Sequence, residues 1–424
     1  MTALFDDRGL PLSTTVPAAR EAYGDGVRLL LCAQPGIEAR LEAALAADPN
    51  MAVAHIALAR AHQVHARAAQ ARACAAQALA CLDAANERER SHVRALERVV
   101  MGDGAGALDQ IQVHLALWPR DVMVMVPASG VFGLFGFSGK AGREQALMRF
   151  LEPFAAQCGD DWWFQYAFGF AQCEVGQIDA ARRNIERSLA QRPENANAAH
   201  IQAHVHYEAG DDAAGLSWLQ TWYAGYAREG FMHGHLAWHM ALWALELGDH
   251  RAAWALFDEK IRPGGAWGPP LNLLTDSASL LLRAELLGAA PQPERWRALV
   301  DYANQFFPQP GLAFADMHAA AVYAMAGDDA GLARVRDQAK GPAADMVSAL
   351  ARGFAAMARG DHAGTLQHLQ PLMATHERIG GSRAQRDLLS YAVQCAQQNG
   401  RTQSAWVRTR PGQFPTSTTS LPSA

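Results

Sequence analysis

Apolar residues recur along this chain at intervals of three and four, the period of an amphipathic helix, and almost nowhere in the strict alternation of a half-buried strand. A grammar punctuates the runs: a Gly near the middle of a turn, an Ala five residues on, a bulky apolar residue four later, and a Pro closing the second helix. Gly176, Ala181, Ile185 and Pro193 fit it, as do Gly102, Ala107, Ile111 and Pro119. Weaker copies surround Gly210, Gly248 with Ala253 and Phe257, Gly327 and Gly360, while Leu41, Ala44 and Pro49 mark the end of a first unit. The reason is mechanical: Gly supplies a left-handed turn residue, Ala lets two helices approach, and Pro stops the second helix. Only Val122-Met-Val-Met-Val126, ahead of Pro127, reads two ways, as a buried helix start or a short irregular segment, with helix favoured.

The units return at roughly the 34 residues of a tetratricopeptide hairpin. Such a hairpin cannot bury its apolar face alone, so stacking predicts one all-α superhelix, a solenoid of tetratricopeptide-like helical hairpins, over residues 21–407. An N-terminal extension, 1–20, precedes it, and a Pro/Ser/Thr-rich tail, 408–424, is expected to be disordered. The segment Arg262-Pro-Gly-Gly-Ala-Trp-Gly-Pro-Pro270 breaks the helical pattern and predicts a loop beside the concave groove.

Composition narrows the function classes. The chain has 424 residues, is 50% apolar and carries a net charge of −5, enough for a sizeable core and without the basic excess that draws nucleic acid or an acidic membrane. It opens on acidic residues and no stretch reaches the 18 or so uninterrupted apolar residues of a membrane span, so a cytoplasmic protein is expected. Six cysteines with no Cys-x-x-Cys pair read as reduced thiols. Gly136-Phe-Ser-Gly139-Lys140 fails as a phosphate loop, because Leu134 stands at the first Gly position and Ala141 where Ser or Thr would hold magnesium. Homo-oligomerisation is left open.

The candidate chemistry lies in two histidine pairs at four-residue spacing, His200/His204 and His235/His239, set one repeat apart and each followed by a Glu and a Gly-Asp turn. With the turn Gly at position 15 of each unit, His200, His204 and Glu208 take positions 5, 9 and 13, and His235, His239 and Glu246 take 2, 6 and 13. At about 100° per residue both sets share one face of the first helix, the face that lines the groove of a stacked superhelix. His318 falls on the same face of a later unit, Tyr166, Phe170 and Glu174 on that of the preceding one, and Trp238 is flanked by the second pair. The binding candidates are therefore His200, His235, Trp238, Glu246, Asp276 and His318, for a small polar molecule or peptide. The alternative is an acid/base or metal-assisted, hydrolase-like enzyme with His204, His239 and Glu208 as catalytic groups. Two imidazoles at i and i+4 do present nitrogens to a common point, so His200, His204, His235 and His239 are the ligands if a divalent metal binds. The Glu of His-Glu-x-x-His is missing, which removes the usual base of a zinc protease and weakens that reading. Near the C-terminus, Gly380-Gly381-Ser382 precedes a helix with Ser382 and Gln385 in capping-box positions, and its amides with Arg386 are expected to attract an anionic group.

At Ala199-His-Ile-Gln-Ala-His-Val-His-Tyr-Glu208, His235-Leu-Ala-Trp-His239 through Glu246, Asp276-Ser277 and Gly380-Gly-Ser-Arg-Ala-Gln-Arg-Asp387, the chain resembles the tetratricopeptide repeat protein 38 family. Glu87-Arg-Glu-Arg-Ser-His92, Trp218-Leu219 and the helix around Arg297 suit it as well. The resemblance implies an all-helical repeat superhelix and no particular reaction.

Overall fold

The computed structural model describes residues 4–399; the expected tail, 408–424, lies outside them. An antiparallel strand pair, β1 (Leu4–Phe5) and β2 (Pro11–Leu12), precedes the helices. Three hairpins follow: α1 (Pro17–Leu31) with α2 (Ile37–Ala47), α3 (Ala52–Val64) with α4 (Ala68–Ala80), and α5 (Glu87–Met101) with α6 (Gly104–Leu117). Shorter helices α7 (Val122–Ser129), α8 (Arg143–Leu151) and α9 (Ala155–Cys158) interrupt the series, so the ambiguous valine-methionine run is helical. The hairpins resume as α10 (Trp162–Glu174) with α11 (Ile178–Gln191), α12 (Ala196–Ala209) with α13 (Asp212–Tyr223), and α14 (His233–Glu246) with α15 (His250–Leu256). They continue as α16 (Pro270–Leu286) with α17 (Pro293–Phe306), α18 (Ala313–Ala326) with α19 (Asp329–Gln338), and α20 (Ala344–Ala358) with α21 (His362–Leu369). The last helix among the described residues is α22 (Arg383–Gln397).

Along much of the chain the first helix of a hairpin packs on its own second helix and on the first helix of the next hairpin, which makes the molecule an all-α helical-repeat solenoid. The Gly-Asp turns explain the sharp reversals. Gly248 adopts φ 79°, open to glycine at little cost, and Asp249 accepts the amide of Ala252 at 2.9 Å, capping the next helix. Asp103, Asp328 and Asp361 repeat the cap at 3.0, 2.9 and 2.8 Å. The Ala and bulky positions are buried as the grammar requires: Ala107, Ala181, Ile111 and Ile185 are fully inaccessible.

Two large apolar cores divide the solenoid, and α12 serves both. Ile201 and Val205 join the N-terminal core, while Ala203 and Tyr207 join the C-terminal one. The superhelix winds tightly enough for distant units to touch. The amide of Ala196 at the start of α12 donates to the carbonyl of Cys32 after α1 (2.9 Å), and Asn197 Nδ2 donates to Leu31 O (3.0 Å).

Both ends of the described chain fold back into the structure. The strand pair is tied to α5 and α10: Arg8 Nε pairs with Asp161 at 2.8 Å, and Arg88 Nη2 donates to Pro11 O at 3.2 Å. At the other end, every residue of α22 from Arg383 to Val393 is buried. A helix inaccessible on all sides for three turns is surrounded by protein. It packs against α12, α16 and α21, so the concave surface expected to be an open groove here is covered by the chain's own last helix. The 262–270 segment lies across the start of α14, where a Cβ on Gly234 would meet Ala266 Cβ at 3.7 Å and Trp267 O at 3.9 Å. Among the described residues no helix is long and apolar enough to cross a membrane.

Candidate metal centre

Asn195 accepts the amide of Ala198 at 3.2 Å and so starts α12, which places His200 and His204 one turn apart on its inner face. α14 presents His235 and His239 in the same way. The backbones of α12 and α14 come less close than those of α10 and α12 or of α14 and α16, and imidazoles fill the space between them. The rings stand at four corners, with centroids 4.5 Å apart for His200 and His204, 4.7 Å for His200 and His235, 4.7 Å for His204 and His239, and 5.1 Å for His235 and His239. One nitrogen from each lies within 4.8 Å of the other three. Tetrahedral zinc at about 2.0–2.1 Å from each nitrogen puts its ligand atoms roughly 3.3 Å apart, well inside that spread.

His200 Nε2 lies 2.9 Å from Nε2 of both His204 and His235. An imidazole nitrogen has one in-plane site, a proton or a lone pair, so one conventional partner satisfies it. Among the described residues His239 Nε2 is buried without a partner, and so is His204 Nδ1. His235 is fixed from behind, because its Nδ1 donates to Asp276 Oδ2 at 2.9 Å, leaving the Nε2 lone pair to face the cluster. Burial, reinforced by the neighbouring histidines, keeps His200 and His239 well below the usual imidazole range and pushes His204 down to about 3. Neutral imidazole is the form that ligates a metal. Trp238, fully buried, stacks on His235 at 5.2 Å and 13° and packs edge-on against His239 at 4.9 Å.

The remaining candidates go elsewhere. Glu208 does not turn to the histidines; its Oε2 pairs with Arg383 Nε of α22 at 3.4 Å. Glu246 accepts from Tyr391 Oη at 3.3 Å, again on α22. Glu208, expected as a catalytic group with His204 and His239, is therefore corrected to a partner of Arg383, while Asp276 bonds an imidazole. His318 donates through Nδ1 to Phe314 O at 2.8 Å and is outside the four-imidazole group. The segment 380–382 offers no free anion nest, since the Ser382 amide is bonded to Gln385 Oε1 at 2.9 Å in a closed capping box and the Gly380 amide to Glu377 O at 3.1 Å. It presents a carbonyl instead, Gly381 O, which accepts from Arg143 and Arg386. Arg386 also pairs with Glu144 of α8 and lies 3.9 Å from Glu174 of α10.

A second polar cluster escaped the sequence reading. Asp121 Oδ2 accepts from Arg88 at 2.7 Å, His92 Nδ1 at 2.9 Å and His114 Nε2 at 3.1 Å, all buried. Its residue types match a metal triad, but a guanidinium already occupies the side of the carboxylate that a cation would need. We read it as a structural pin joining α5, α6 and α7. The Arg-x-x-x-His spacing of Arg88 and His92 is the sequence signal that placed both on one face.

No family model matches the sequence. Among solved structures the chain is similar to the TPR domain of P58(IPK), at 13% identity over 90% of this chain and 98% of that one, with a TM-score of 0.20. At that score the two do not superpose as whole molecules, and the solenoid assignment rests on the hairpin packing described above.

Proposed function

We propose that this repeat protein binds a transition-metal ion inside its superhelix, with His200, His204, His235 and His239 as ligands and Asp276 as the positioning residue behind His235. The observation that carries the reading is the convergence of four buried imidazoles whose nearest nitrogens cannot all be satisfied by one another. An all-imidazole set suits zinc, copper, nickel or iron, and does not suit magnesium or calcium, which take oxygen ligands. Four buried protein ligands match a structural centre more closely than an open catalytic one. The reading displaces the peptide groove, because His204 and His239 are each 1% exposed and α22 covers the glutamates beside them. Membership of the tetratricopeptide repeat protein 38 family is part of the proposal. The residues that carry that resemblance, His200 to Glu208, His235 to Glu246 and Gly380 to Asp387, are those that build the centre and its cover.

The test is elemental analysis of the purified full chain, as isolated and after loading with Zn²⁺, Co²⁺, Ni²⁺ or Cu²⁺, beside His204→Ala and His239→Ala. One ion per parent chain, lost in both variants while their helical circular dichroism is retained, is the expected result. A parent that takes up none of the four ions overturns the reading.

A further inference from the structure

A cavity of about 490 Å³ opens where the 262–270 segment crosses the start of α14, lined by Arg228, His233, Asp258, Glu259, Lys260 and Gly265. None of these is a proposed metal ligand, so the site stands independently of the metal. A π-helical turn, Phe257–Ile261, extends α15 and supplies three of the six. Such wide turns are rare and concentrate at functional sites. This one packs directly on the first turn of α14, since a Cβ on Gly234 would meet Lys260 O at 3.1 Å. Gly265 completes the wall at a position closed to any larger residue, because a Cβ there would sit 2.3 Å from Asp258 O.

The charges of the lining differ in what accompanies them. His233, 8% exposed, has its Nε2 2.7 Å from Tyr223 Oη. Lys260 Nζ stands 4.8 Å from the centre of the Tyr223 ring and has no hydrogen-bond or ion-pair partner among the described residues. Arg228, at the exposed rim, donates to Gly265 O at 2.9 Å and has no carboxylate partner among them either. Of the two lining carboxylates, Asp258 is already held by Arg295 at 2.8 Å and Arg262 at 3.5 Å, while Glu259 is exposed to screening solvent. His233 reports the resulting field: burial, then Lys260 and Arg228, push its imidazole down to about 4 against the opposing pull of Glu229. We propose that this cavity binds the phosphoryl group of a small phosphorylated molecule, with Lys260 and Arg228 meeting the oxyanion beside His233. Two cations without counter-charges suit a dianion, lysine as a compact point charge and arginine as a fork of donors. The volume exceeds that of a free oxyanion and falls in the range of small-molecule sites, which leaves room for an organic part whose hydroxyls Glu259 can accept.

The experiment is calorimetric titration of the full chain with glycerol 3-phosphate, inorganic phosphate and, as the uncharged control, glycerol. Glycerol 3-phosphate is expected to saturate at one per chain, and glycerol to show no binding. Lys260→Met should weaken the ester about tenfold or more, the loss of a charge-assisted contact, with helical circular dichroism retained. Lys260→Arg should recover part of the affinity. His204→Ala, which removes a proposed metal ligand, should leave it unchanged; a loss there would put the phosphate on the metal and overturn the cavity. Inorganic phosphate bound as tightly as the ester overturns the organic part of the ligand, and glycerol bound as tightly overturns the role of charge. No saturable binding of either phosphate, or unchanged affinity in folded Lys260→Met, overturns the site, whether or not the chain takes up metal.

Discussion

At His235 a single carboxylate decides which nitrogen faces the centre. Asp276 holds the Nδ1 proton, and its own carboxyl is pushed up by burial against the opposing pull of His235. Asp276→Asn keeps the shape and removes the charge, so metal affinity should fall about 10–100-fold, as second-shell changes do elsewhere, with the fold retained. Competition with a coloured chelator measures it, and unchanged affinity would deny Asp276 its role. Asp121 makes a different prediction. Burial acts to raise its carboxyl, but His92, His114 and Arg88 outweigh it and hold the group well below the ordinary value of about 3.9. Its stabilising contribution is present above that unfolded value and disappears as pH falls through the lower folded one. Urea unfolding of the parent against Asp121→Asn should show a gap at neutral pH that begins to narrow below about pH 4. A gap of constant size would contradict the assignment. The histidine stripe was legible in the sequence because an i, i+4 pair fixes its own direction on a helix. Asp276 was legible only as a candidate, since 41 residues separate it from His235 and only packing shows which imidazole it meets.

Elements carry the next level of specificity. The Gly-Asp turns are local chemistry, a left-handed glycine and a cap three residues before the bonded amide, and so could be read along the chain without knowing the superhelix. The docking of α22 could not. Its anchors, Arg386 to Glu144 and Tyr207 to Asp387, span 242 and 180 residues, and no local period encodes a contact set by the pitch of the whole solenoid. The capping box at Ser382 was nevertheless visible, and only its purpose differed: it starts a buried helix and leaves no vacant anion nest. Gly381 is the joint that admits that helix. It adopts φ 72°, and a Cβ there would sit 2.3 Å from Phe314 Cε2. Gly381→Ala should cost more than about 1–2 kcal/mol, the left-handed penalty alone, because the aromatic contact adds to it. Thermal or urea unfolding reads the loss. A neutral substitution would mean that α22 is not held where described.

Across the whole molecule, a repeat architecture whose concave surface commonly receives partners has here been covered by its own helix α22. The strand pair lies against α5 and α10, and α22 covers the inner faces of α12 and α16. That closure turns a surface stripe of histidines into an interior, which changes their chemistry: exposed imidazoles titrate near neutrality, whereas burial holds His200, His204 and His239 below that range, and all four are gathered on one point. The sequence favoured a groove because periodicity reports a face and cannot report what covers it. The most direct test is X-ray absorption at the metal edge of the loaded full chain. Four nitrogen scatterers at about 2.0–2.1 Å with the outer-shell pattern of imidazole are predicted. A sulfur scatterer, or an oxygen-only shell of the kind carried by a solvated ion, would contradict the account.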